Sequence, residues 1–169
     1  MKTLHLLRHA KSDWSAPSIS DRERGLNARG LRASRSMGHA LSNRLRAMRV
    51  ITSPARRAQL TLEGLCSVWS ELAHQRHVID ESLYTFSGDD LVCWLQAQDD
   101  GVDTFFLIGH NPALTELINH CAPAAALENL PTAGYARLVS HASAWRGFVG
   151  GDAQLADLLL PRSLEQERD

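Results

Sequence analysis

The sequence predicts an α/β protein: a three-layer α/β/α fold with a mostly parallel central sheet and an antiparallel edge strand. Three observations carry this. Short apolar runs alternate with helical patterns from residue 2 to about residue 121, which implies right-handed crossovers and helices on both faces of one sheet. Late in the chain, Tyr135 to Ser140 alternates apolar and polar residues, as a half-buried strand does. The chain has 169 residues, 44% hydrophobic and 22% charged, which suits one compact domain with a real core. That domain is expected over residues 1–161, with 162–169 a charged, frayed tail.

Lys2 to Leu7 reads as a buried strand bounded by charge. The polar stretch Ser12 to Gly25 is a loop. Asn27 caps a helix expected to reach about Ala47, with Leu31, Met37, Leu41 and Leu45 on one face. Arg49 to Thr52 is a second strand. Ser53 then caps a helix with Pro54 at its first position, running to about His74. His77 to Asp80 is a third strand, and Gly88 to Gln98 a helix with Leu91, Trp94 and Leu95 facing inward. Thr104 to Gly109, "TFFLIG", is the clearest buried strand, and Asn111-Pro112 starts a helix to about Cys121. Tyr135 to Ser140 is expected to pair with a strand near Trp145 to Val149.

A formal net charge of -1 gives no support to a general nucleic-acid or membrane surface. No run approaches transmembrane length and the N-terminus is too short for a signal peptide, so a cytoplasmic protein is expected. Cys66, Cys93 and Cys121 form no CxxC pair and sit among apolar residues, the pattern of reduced, buried thiols. The eight histidines are too scattered for a ligand motif, so no metal and no cofactor is expected.

In open α/β sheets, ligands bind at the carboxyl ends of the strands. The first strand here ends at Arg8-His9, the second at "SPARRAQLT" (Ser53 to Thr61), and the fourth at "GHNP" (Gly109 to Pro112). Arginines, histidines and two helix starts therefore meet at one sheet edge. Helix N-termini and planar guanidinium forks suit a phosphoryl dianion. A neutral imidazole beside them can attack phosphorus and form a phosphohistidine.

These three motifs, in this order, resemble those of the histidine phosphatase superfamily, which includes the cofactor-dependent phosphoglycerate mutases. The short length and the "RHAKSDW … DRERGLNARG" opening most resemble its SixA type, which removes phosphate from protein phosphohistidine. The resemblance implies a phosphoglycerate mutase-like fold and a metal-independent phosphatase. It makes His9 the nucleophile, Arg8 and Arg57 the holders of the phosphoryl oxygens, and His110 a second histidine donating to the phosphoryl group. Arg56 falls outside that frame and is expected to be solvated. The implied proton donor is Glu81, with Asp80 and Asp13 as alternatives. Ser12 and Trp14 follow the first motif and are expected substrate contacts. Asp21 and Arg24 are expected to tie down their loop as an ion pair. Ala10 and Gly25 stand where relatives often carry glycine and proline.

The elements nearly fill the intervals between the motifs, which leaves no room for a long lid. A shallow, open pocket is expected, suited to a phosphorylated protein, in particular a histidine-containing phosphotransfer domain of a signalling or sugar-uptake relay. Small phosphate esters are the alternative substrates. A non-catalytic phosphate-binding module is the alternative class, and the pair of histidines argues against it.

Overall fold

The computed structural model describes residues 1–166. In chain order the elements are β1 (Lys2–Arg8), α1 (Ala28–Ser42), β2 (Ile51–Thr52), α2 (Arg56–Cys66), α3 (Ser70–Ala73), β3 (Val78–Ile79), α4 (Gly88–Gln96), β4 (Thr104–Gly109), α5 (Ala113–Cys121), β5 (Tyr135–Ser140), α6 (Trp145–Phe148), β6 (Gln154–Leu159) and α7 (Pro161–Gln166). Six strands form one sheet in the order β3-β2-β4-β1-β5-β6. The β3-β2, β2-β4 and β4-β1 pairs are parallel, and β5 lies antiparallel to both β1 and β6. This is the mixed α/β fold the sequence predicts.

Side chains that alternate along β1 and β4 divide the core. Leu4, Leu6, Phe105 and Leu107 face α4, α5 and α6, where they meet Leu91, Leu95, Leu114, Leu117 and Trp145. Leu7, Phe106 and Ile108 face α1 and α2, against Met37, Leu41, Ala58 and Leu65. Both faces are covered, so the central strands read as continuous apolar runs rather than alternating ones.

Several boundaries differ from the sequence reading. Asn27 caps α1 as expected, its side chain accepting from the Gly30 N–H, but the helix ends at Ser42 and Leu31 is exposed. The stretch to His74 is two helices, because the chain turns at residues 67–69 and buries Trp69. Ser53 does not cap α2, whose N-cap is Ala55. Residues 145–148 form helix rather than strand: Trp145 and Phe148 are fully buried in the α4–α5 layer, and the partner of β5 is Gln154–Leu159. Part of the expected tail is helical, since Leu164 of α7 is buried against the α1–α2 layer. Residues 167–169 lie outside the described residues. Of the cysteines, Cys121 is buried, Cys66 half-buried, and Cys93 exposed on the outer side of α4. No helix among the described residues is long and apolar enough to cross a membrane.

Two close approaches set the position of α1. A Cβ on Gly30 would stand 2.2 Å from the Lys11 carbonyl oxygen, so the start of α1 rests on the backbone just after β1. A Cβ on Gly64 would stand 1.9 Å from Ser34 Oγ and 2.6 Å from Ser34 Cβ, so α2 lies directly on α1. The Gly64→Ala variant is expected to lose about 1–3 kcal/mol of stability, because the helices must separate to admit a methyl group. Urea unfolding measures this, and an unchanged midpoint would contradict the packing.

Candidate active site

The carboxyl ends of β1, β2 and β4 deliver their motifs to one place. His9 follows β1 and His110 follows β4, and their ring centroids lie 5.2 Å apart. Arg57, in the first turn of α2, joins them. Its Nε donates to His9 Nε2 at 3.3 Å, and one terminal nitrogen donates to His110 Nδ1 at 3.3 Å. All three side chains are buried.

The surrounding acceptors assign the tautomers. The Ala10 carbonyl can only accept, so at 2.7 Å it holds the proton on His9 Nδ1. That leaves a lone pair on His9 Nε2, facing Arg57. His110 accepts through Nδ1, so its proton is on Nε2 and is donated to Ser53 Oγ at 2.7 Å. Ser53 also accepts from the Ala55 N–H. The residue the sequence reading made a helix cap is instead the support of His110. The Ala10 N–H in turn donates to Thr61 Oγ1, which donates to the Arg57 carbonyl. The "ARRAQLT" spacing thereby ties α2 to the turn after β1.

Arg8 reaches back to donate to the Leu130 carbonyl at 2.9 Å. Its Nε is buried and has no hydrogen-bond partner among the described residues, a costly arrangement for a charged donor. Burial and the neighbouring arginines hold both site histidines neutral. Desolvation lowers His9 to about 4, with Arg57 and Arg8 adding to it against the opposing Ala10 carbonyl and Asp21. Desolvation, then His9 and Arg57, lowers His110 to about 3.

The carboxylates are arranged otherwise than expected. Glu81 begins a 3-10 turn, stands exposed, and spends both oxygens on Arg22, at 2.8 and 2.5 Å. Its hydrogen bonds from Arg22 hold the carboxyl below its ordinary value. Asp80 accepts from the Ser82 N–H and Trp94 Nε1, which fixes that turn. Asp13 bonds the Ser15 N–H. None of the three contacts His9, Arg57 or His110 by hydrogen bond.

Asp21 does enter the site. Its Oδ2 lies 3.0 Å from an Arg57 terminal nitrogen, its carbonyl accepts from the other, and the Tyr84 hydroxyl donates to its carboxylate. The expected pair with Arg24 is present at 3.4 Å but is the longer contact. Partial burial alone would raise the Asp21 carboxyl. Hydrogen bonds from Tyr84, Arg57 and Arg24 outweigh it and hold the group below its ordinary value.

The expected open pocket needs correction. Asp21 sits over Arg57, and the rings of Tyr84 and Phe86 pack on His110 at 5.5 Å. The sequence reading missed Tyr84 and Phe86, which carry no local motif. Ser12 pairs its backbone with Leu26, closing the base of the loop. Trp14 is exposed and stacks on the Arg24 guanidinium at 3.7 Å. Arg56 is exposed and pairs with Glu63. Among the described residues no three His, Cys, Asp or Glu side chains cluster as metal ligands do.

A parallel-rich sheet with an Arg-His turn at one strand end and a second histidine at its neighbour's end defines a class. Residues 4–85 match the histidine phosphatase superfamily (branch 1), so the half of the chain that carries the Arg-His turn and Arg57 is similar to that family. Within that class the similar solved structures include a candidate phosphohistidine phosphatase SixA from Agrobacterium tumefaciens. It is 25% identical, with a TM-score of 0.77, covering 95% of this chain and 98% of that one. The protein histidine phosphatase SixA complexed with tungstate is 22% identical, with a TM-score of 0.78 and coverage of 96% and 99%. A phosphoglycerate mutase from Bacillus anthracis shares the fold at 14% identity, with a TM-score of 0.69 and coverage of 99% and 97%. No curated protein sequence is similar enough to count as a match.

The lowered histidines generate a stability prediction. His5, buried beside Phe106 and Tyr135, is also lowered to about 4, mainly by desolvation. Between about 4 and the ordinary value of 6.5 the unfolded chain binds protons that the folded chain refuses. Stability is therefore expected to fall as pH drops from 6.5 toward about 5, above the range where carboxylates titrate. The urea midpoint measured across that window checks this; a flat midpoint would contradict it.

Proposed function

We propose that the chain is a metal-independent phosphatase that works through a phosphohistidine on His9, and that its substrate is phosphohistidine carried on a protein. One observation carries the reading most: a neutral His9 whose Nε2 lone pair faces the Arg57 guanidinium. A phosphoryl group there would meet the nucleophile and a planar cation together. The tungstate bound by the related SixA is a tetrahedral oxyanion of the same shape, which supports an oxyanion site.

The chemistry follows from the tautomer. His9 Nε2 attacks phosphorus while the bond from phosphorus to the substrate imidazole breaks. Arg8 and Arg57 hold the equatorial oxygens and stabilise their charge. An imidazole titrates near neutral pH, so the substrate ring can carry its own proton and leave neutral. His9, with Nδ1–H held by Ala10, then mirrors the ring that left. Water attacks the phosphorus of phospho-His9, the bond to Nε2 breaks so that His9 leaves as the neutral imidazole, and both of the water's protons remain on the phosphate, released as dihydrogen phosphate. No step needs a protonated carboxylic acid.

That absence of need is what favours phosphohistidine over phosphate esters. An alkoxide leaving group requires an acid, whereas Asp21 and Glu81 are both held toward their ionised forms. Glu81 would serve as donor for an ester only after releasing Arg22. His110 would donate to the phosphoryl group through Nδ1 only after taking up a proton there, which an arriving dianion favours.

The test is incubation, without added metal, with a phosphohistidine protein and separately with an aryl phosphate. Wild type is expected to turn over the phosphohistidine, and His9→Ala to lose that activity. Arg8→Ala and Arg57→Ala should each lower kcat/KM by about 100-fold or more, and Arg56→Ala by less than about twofold. Turnover of the aryl phosphate alone would make the chain a small-molecule phosphatase, and turnover of neither would make it a binding module.

A further inference from the structure

Beside the site, on the face of α1 turned from the core, runs a groove of about 570 Å³. Lys11, Arg29, Arg32, Arg35, His39 and Arg162 line it, and Glu165 is the one acidic side chain among its lining residues. The whole chain has a formal net charge of -1, so this is a local concentration of cations. Among the described residues none of the six makes an ion pair.

The arrangement works against the helix that carries it. Arg29, Arg32 and Arg35 recur every three residues, where like charges repel. Arg29 stands in the first turn of α1, at the positive end of the helix dipole, and no acidic residue in that turn offsets it. Among the described residues these three exposed side chains make neither a hydrogen bond nor an ion pair that would offset the repulsion, which points to a use outside the fold.

The groove also opens beside the nucleophile. Lys11 is two residues beyond His9, and the start of α1 rests on the Lys11 carbonyl. At the other rim Thr132 precedes Ala133, whose N–H bonds the Arg8 and His9 carbonyls.

We propose that this groove docks an acidic face of the phosphohistidine-bearing protein, next to the phosphorylated residue, and so selects protein substrates over small ones. This rests on the phosphohistidine reading above. The cations do not reach the reacting atoms. They act on encounter and residence of the partner, through long-range attraction that salt screens.

The Arg29→Glu/Arg32→Glu/Arg35→Glu variant tests it against three substrates: an acidic histidine-phosphotransfer domain phosphorylated with phosphoramidate, free phosphohistidine, and an aryl phosphate. The variant should lower kcat/KM on the phosphorylated domain by about tenfold or more, and added salt should lower wild type toward it. Activity on free phosphohistidine should stay unchanged. Equal activity of wild type and variant on the domain, or an equal loss on all substrates, would overturn the proposal. Failure of wild type on both phosphohistidine substrates would instead overturn the functional reading. Docking is then decided by direct titration of the unphosphorylated domain, which should bind wild type more tightly than the variant. In the same titrations a short single-stranded RNA and phosphatidylserine vesicles serve as rival polyanions. Tighter arginine-dependent binding of either would assign the groove to that partner and reject this one.

Discussion

A single guanidinium organises the end of the sheet where the candidate site lies. Arg57 donates to His9 and to His110, and it is met from the third side by the carboxylate and carbonyl of Asp21. Three strand ends and one long loop thereby share one planar ion. Such a fork fixes direction as well as charge, since its N–H groups lie in one plane with set angles between them. The two imidazoles are oriented by the same group, and each is anchored at its far nitrogen, one by the Ala10 carbonyl and one by Ser53. The proton on His9 Nδ1 is held by the Ala10 carbonyl, so the lone pair lies on Nε2 and faces Arg57.

The same ion adds to the electrostatics. Burial first, and the neighbouring arginines after it, keep the two rings neutral, and a neutral imidazole is the form that can attack. Asp21 offsets part of that field and is held ionised by it. On the proposed reading, phosphoryl oxygens and the Asp21 carboxylate would seek the same Arg57 donors. A substrate would then replace an internal anion rather than enter an unopposed positive pocket.

Much of this was legible in the sequence because strand ends are local features. Arg8-His9, Arg57 and His110 each end or follow a strand whose apolar run is visible, and the sheet rule brings such ends together. The resemblance singled out Arg57 over Arg56, and it is Arg57 that meets both histidines while Arg56 pairs with Glu63 at the surface. What could not be read depends on how loops fold back. Asp21 looked like half of a local ion pair, and only the return of residues 12–25 over the sheet edge sets it on Arg57. Ser53 has the sequence position of a helix cap, yet a histidine 57 residues later claims its hydroxyl. The last strand was misplaced because Trp145 and Phe148 have strong β propensity, while their burial beneath α4 favours a single helical turn.

The antiparallel placement of β5 bears on how the protein is made. The strand that leads to His9 precedes its neighbours in the sheet by about a hundred residues or more: these are β4, beginning at Thr104, and β5, beginning at Tyr135. Arg8 finds its carbonyl partner only at Leu130, and the His9 carbonyl finds its donor only at Ala133. On the ribosome, the N-terminal strand must therefore remain without edge partners until most of the chain has emerged. Contacts of such long sequence separation form slowly and leave apolar edges exposed meanwhile. Lys2 and Arg8 bracket that waiting strand with charge, which suits a segment that must stay soluble before it can pair.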